Sequence, residues 1–185
     1  MSPIECPIPK GPPVSFLSRL LRPRQAPQAE IWPLWHRVVG IAREKAWYAR
    51  FGVADTIAGR FDAITLVLSL VLLRMEREAA LHAPSVHLTE LFVTDMDGQL
   101  RESGVGDLVV GKHIGRLMSV LGGRLGAYRE ALAQEDDTAL IAALTRNVTL
   151  AEGSDLGGLA SATRALAAQF ASLDSTAILA GSIAR

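Results

Sequence analysis

LTELFVTDMDGQLRESGVGDLVVGKHIGRLMSVLGGRLGAY, residues 88–128, sets apolar residues at helical intervals and interrupts them with glycines. A helix from Leu88 to Arg101 gathers Leu88, Leu91, Phe92, Met96 and Leu100 on one broad face, the i, i+3, i+4 pattern of a core-facing helix. Asp95 falls inside that face. Asp97 and Arg101 stand opposite it at i, i+4, a pairing worth a few tenths of a kcal/mol when solvated. Gly104 supplies a helix end and Asp107 an N-cap, so the stretch predicts a helical hairpin with a polar corner.

The second arm, Leu108 to Leu121, places Val109, Val110, Ile114, Leu117, Met118 and Leu121 on one side. Gly111, Lys112, Gly115, Arg116 and Ser119 take the other. The two glycines lie one turn apart and lack side chains, so another backbone can come close, and Lys112 and Arg116 add a positive strip. That backbone belongs either to a neighbouring helix of the same fold or to a partner. Gly122-Gly123 is expected to end this helix, and Arg124 to Gln134 to form the next, carrying Tyr128.

Working outward, FDAITLVLSLVLLRM (residues 61–75) is apolar on every face, which predicts a helix at the centre of a bundle. Its uncharged run, Ala63 to Leu73, is eleven residues long, against the roughly 20 that a membrane span needs. Ile31, Leu34, Trp35, Val38 and Ala42 predict a first core helix reaching about Tyr48, decorated by His36, Arg37 and Arg43. Asp55 or Thr56 is the expected cap of the central helix, and Ser85 that of the helix containing Leu88. Asp136 or Asp137 precedes a short helix with Leu140, Ile141 and Leu144. Leu166 and Phe170 mark another, and the last segment is expected to be loosely anchored. The chain has no sustained alternating run, so the predicted fold is all-α, a single-domain bundle of seven to eight helices spanning residues 28–185.

Half of the 185 residues are apolar and the formal net charge is zero. Residues 1–60 hold nine basic and four acidic residues, so the basic excess is N-terminal. Residues 1–27 form a leader whose first 13 residues contain five of the nine prolines. Within it Phe16, Leu17, Leu20 and Leu21 share one helical face, with Arg19 and Arg22 opposite and Arg24 beyond. This basic amphipathic segment suits either an anionic membrane surface or a return onto the domain. The single cysteine, Cys6, has no internal partner, which fits a reducing compartment.

Enzyme and metal signatures fail on spacing. TDMDGQLRESG has its glycine at the fourth position of a calcium loop, where the sixth is needed. Gly104-Val-Gly106 lacks a preceding strand and a third glycine. His36, His82, His87 and His113 make no metal set, and His113 falls on an apolar face. No cofactor is expected. The scattered basic residues carry no DNA-binding motif, and contact with ribosomal RNA is the most that such a patch would support.

The run from Phe92 through Leu132 resembles the ubiquinol-cytochrome c chaperone family. The likeness rests on Phe92, Asp95, Asp97, Leu100 and Arg101, on Gly104-Val105, and on Gly122-Gly123 with Tyr128 and Ala131-Leu132. It is strongest over residues 88–132 and extends more weakly from about 30 to 150. The resemblance implies a helical, non-enzymatic assembly factor that binds newly made cytochrome b of the ubiquinol-cytochrome c reductase, beside the ribosome and with a small co-chaperone. In a bacterial member it implies action at the cytoplasmic face of the inner membrane. The residues expected at the partner surface are Asp95, Asp97, Arg101, Gly104, Gly111, Lys112, Gly115, Arg116 and Tyr128. Asp95, on an apolar face, is either satisfied inside the fold or kept for the partner. A small helical scaffold or regulatory protein with a soluble partner is the alternative.

Overall fold

A computed structural model describes residues 27–102 and 110–184. The described residues form helices α1 (Pro27–Ala42), α2 (Lys45–Ala49), α3 (Ile57–Met75), α4 (His82–Glu102), α5 (Val110–Leu132), α6 (Thr138–Asn147), α7 (Leu156–Ser172) and α8 (Ser175–Leu179). A 3-10 turn at Ala79–Leu81 precedes α4. The chain is an all-α single-domain bundle, as the periodicity predicts. The leader, with Phe16, Leu17, Arg19, Leu20, Leu21, Arg22 and Arg24, lies outside the described residues, as do Gly104 and Asp107 at the expected corner.

Helix α3 is the axis. Every residue from Asp62 through Leu72 is buried, and α1, α4, α5 and α7 all pack on it. Thr65 and Ser69 tolerate this burial because their hydroxyls donate to carbonyls one turn back, Phe61 and Asp62 for Thr65 and Thr65 for Ser69. Thr56 is the N-cap, its hydroxyl accepting from the Gly59 N–H at 3.1 Å. Gly59 is required by crowding, since a Cβ there would stand 1.9 Å from the Ala54 carbonyl oxygen. The Val53–Leu150 bridge, with Ala54 N–H to Thr149 O at 2.9 Å and Ala151 N–H to Gly52 O at 2.8 Å, stitches the entry of α3 to the α6–α7 connection.

The helix boundaries differ from expectation at three places, and the C-terminal segment differs in its anchoring. The first helix stops at Ala42, not Tyr48, because Trp47 and Tyr48 on α2 turn back and donate to the terminal carbonyls of α1, Ile41 and Ala42, each at 2.8 Å. Helix α4 starts at His82, and Ser85 lies inside it with its hydroxyl bonded back to the His82 carbonyl. Helix α5 runs straight through Gly122-Gly123, so Arg124 does not begin a new helix. Both glycines are exposed while Leu117, Leu121, Tyr128 and Ala131 are buried, and packing of that stripe outweighs the glycine propensity cost of roughly 1 kcal/mol each. The C-terminal segment is anchored: Ile178 and Ile183 are buried, and Arg37, expected as decoration, donates from Nε and Nη2 to the Ile183 carbonyl.

These assignments predict opposite outcomes for two glycine-to-alanine changes. Gly123→Ala adds a Cβ that meets nothing within 4 Å and raises stability by about 0.5–1 kcal/mol. Gly59→Ala drives a Cβ into the Ala54 carbonyl and lowers stability by about 2 kcal/mol or more. Thermal melts of the two proteins check both signs.

Candidate functional site

Helices α4 and α5 pack on each other and on α3. What fixes α5 is a buried polar cluster. Asp62 of α3, 8% exposed at its side chain, accepts from Arg124 Nη2 of α5 at 2.5 Å, and Arg124 is itself 12% exposed. The other Asp62 oxygen accepts from the Thr149 N–H at 2.8 Å and the Thr149 hydroxyl at 2.6 Å. Arg124 Nη1 also donates to Thr65 Oγ1. A carboxylate with three donors and a guanidinium with two acceptors satisfy the demand that buried charge be paired and hydrogen-bonded.

An aromatic run continues from this pair. The Arg124 guanidinium sits 5.5 Å from the centroid of Phe61, Phe61 meets Phe92 at 6.2 Å, and Phe92 meets Trp35 edge-on at 6.2 Å. Phe92 thereby links α1, α3 and α4 at the point where Arg124 joins α5. One turn further along α5, Tyr128 is fully buried and its hydroxyl has no hydrogen-bond partner among the described residues. Burial pushes its phenol well above the ordinary tyrosine range, against the opposing pull of Arg124.

The residues expected at a partner surface divide. Tyr128 has no exposed surface and belongs to the core. Asp95 and Asp97 are half-buried, and each already interacts with a neighbour. Gly115 and Arg116 are exposed on the outer side of α5, beside Ser119, Gly122 and Gly123. Met118, expected on the apolar side, is 44% exposed and lies in this outer set. A Cβ built at Gly115, Gly122, Gly123 or Gly126 meets nothing within 4 Å, so no described helix of the fold uses these gaps. The side chains of Arg101, Lys112 and His113, and the surroundings of Gly111, lie outside the described residues. No group of three or more potential metal ligands occurs among the described residues, and no described helix is long and apolar enough to cross a membrane.

Among the described residues, the outer face of α5 is therefore a strip of glycine with Met118, Ser119 and Arg116 beside it and Arg129 at its C-terminal end, held from behind by the Asp62–Arg124 pair. Residues 49–185, which contain all of this apparatus, match the family model described as ubiquinol-cytochrome C chaperone. The chain belongs to the ubiquinol-cytochrome c chaperone family. The crystal structure of the Cbp3 homolog from Brucella abortus is similar at a TM-score of 0.78 and 34% identity, covering 92% of this chain and 96% of that one. A search of curated proteins finds no match. The family match begins later than the sequence resemblance but runs through α7 and α8 to the C-terminus, which the resemblance omitted. Membership makes the chain a chaperone for assembly of the respiratory ubiquinol-cytochrome c reductase, complex III.

Sequence reasoning missed Asp62 and Arg124 as a pair. The signal was present: Leu117, Leu121, Arg124 and Tyr128 follow a 4-3-4 spacing, which puts an arginine in the buried stripe of α5. Placing a helix start at Arg124 concealed it.

Removing one member of the pair leaves the other buried and uncompensated. Asp62→Ala and Arg124→Ala are each expected to cost about 3–5 kcal/mol, on the order of 10 °C in melting temperature for a chain of this size. Tyr128→Phe deletes only an unpartnered hydroxyl, so stability near neutral pH stays within about 1 kcal/mol or rises. The phenol ionises near pH 10.0 in the unfolded chain and higher in the folded one, so its ionisation erodes stability as pH rises above about 10. Tyr128→Phe removes that part of the alkaline loss, and melts across alkaline pH measure it.

Proposed function

We propose that this chaperone acts without catalysis, by holding newly made cytochrome b against the outer face of α5 until the protein enters the ubiquinol-cytochrome c reductase. The observation that carries the reading is the strip of exposed Gly115, Gly122 and Gly123, continued by half-buried Gly126, on a helix fixed to the core from its other side. A nascent membrane helix has an apolar surface that water and other chains must not reach. Small residues let such a helix come close, backbone to backbone, as they do between helices in membranes. Met118 adds a side chain that adapts to irregular apolar surfaces, and Arg116 adds donors for loops or helix ends of the client. Asp95 and Asp97, at the family motif on α4, flank the same hairpin and complete the proposed surface.

The leader gives this activity a place. Phe16, Leu17, Leu20 and Leu21 opposite Arg19, Arg22 and Arg24 have the chemistry of an interfacial helix on anionic lipid. Each arginine near such a surface contributes about 1 kcal/mol and the partly buried apolar side chains a few more, which supports reversible attachment to the cytoplasmic face of the inner membrane. A chaperone held there meets cytochrome b as it is inserted.

Two experiments test the reading. Photo-crosslinking residues at Arg116, Met118 and Gly122 are expected to capture cytochrome b in cells, and one at exposed Ala142 on α6 is not; capture from Ala142 alone would move the client to another face. Flotation with anionic vesicles at low salt is expected to retain the intact chain and lose one lacking residues 1–24, and equal flotation of the two would remove the leader from the proposal.

A further inference from the structure

A concave surface lies on the side of the bundle where α3, α5 and α7 meet. It encloses about 380 Å³, within the roughly 300–1,000 Å³ typical of small-ligand pockets. Its floor is apolar, formed by Leu70 and Leu73 of α3, Leu132 of α5 and Ala167 of α7. Its polar lining is Arg74, Arg77, Arg129 and Glu76.

The charges do not balance within the fold. Arg129 is held by both oxygens of Glu76, at 2.8 and 2.9 Å. Arg74 donates to Glu78 at 3.1 Å and to the Leu173 carbonyl at 2.8 Å. Arg77 is exposed and makes no side-chain hydrogen bond or ion pair among the described residues. Three guanidiniums thus face two carboxylates, and one positive charge is left beside an apolar floor. An inorganic anion would neutralise Arg77 and leave the leucines uncovered. A neutral apolar molecule would do the reverse, and a dianion would exceed the single free charge.

We propose that this cleft binds a fatty carboxylate, a monoanionic headgroup on one unbranched apolar chain. The carboxylate takes a paired hydrogen bond from the planar fork of Arg77, and the chain lies along Leu70, Leu73 and Leu132. The amphipathic segment of the leader is excluded as occupant by charge, since residues 14–24 carry three arginines and no acid. A two-chain phospholipid is far larger than the cleft. The proposal does not depend on where the client binds.

Calorimetric titration of the full chain with sodium octanoate tests it, beside 1-octanol and inorganic phosphate as half-ligands. Saturable binding of one octanoate is expected, with both half-ligands weaker. Loss of the charge-assisted contact in Arg77→Gln is expected to weaken octanoate about tenfold with the helical spectrum unchanged. Ala171→Trp, which adds bulk at an exposed position on the cleft wall, is expected to block it. The proposal is overturned if octanoate does not saturate, if octanol binds as tightly, or if Arg77→Gln binds octanoate like the parent. Because Arg77 is exposed and unpaired, that variant decides the matter even if Ala171→Trp fails to fold.

Discussion

The Asp62–Arg124 pair is the constraint on which the arrangement of helices depends. A carboxylate in the first turns of an otherwise apolar α3 is tolerable only where donors converge on it, and they come from two distant parts of the chain, Arg124 on α5 and Thr149 after α6. The pair therefore specifies rotation and register as well as proximity. If α5 slid by one turn, Arg124 would leave both Asp62 and Thr65, and the Phe61 ring beneath it would lose its cation. Apolar packing alone would accept several such registers at similar cost, because α3 offers leucine or valine on every side.

This explains how one helix can be core on one side and glycine strip on the other. Leu117, Leu121, Tyr128 and Ala131 bury one face of α5, and Arg124 locks that face to α3. With rotation fixed from behind, the outer face is free of packing duty among the described residues and carries residues that helix propensity alone would disfavour. Gly122 and Gly123 are costly inside a helix, and nothing in the described fold gains from their lack of a side chain. A strip that costs stability and serves no contact among the described residues fits a surface kept for another chain.

Much of the fold was legible in the sequence. The all-face apolarity of residues 61–75 placed the central helix, and Thr56, Leu166 and Phe170 marked features that the structure contains. The boundaries were less legible, for identifiable reasons. Glycine pairs read as helix ends, yet the buried stripe either side of Gly122-Gly123 carried the helix across. The stop at Ala42 depends on Trp47 and Tyr48 folding back, a contact that periodicity does not encode. Of the expected surface residues, Tyr128 went to the core because its stripe is buried, while Met118, expected on the apolar side, came out because the helix is rotated to suit Arg124. The arginine-lined cleft was invisible, since Arg74, Arg77 and Arg129 meet only after α3 and α5 pack.

The central claim is that the outer face of α5, fixed by the Asp62–Arg124 pair, is where the client lies. Hydrogen–deuterium exchange on the chaperone, alone and in complex with co-expressed cytochrome b, tests it most directly. The account predicts new protection concentrated on residues 115–126 of α5 and on the facing part of α4, with the amides of α6 and α7 unchanged. Protection confined to α6, α7 or α8, with α5 exchanging as in the free protein, would contradict it.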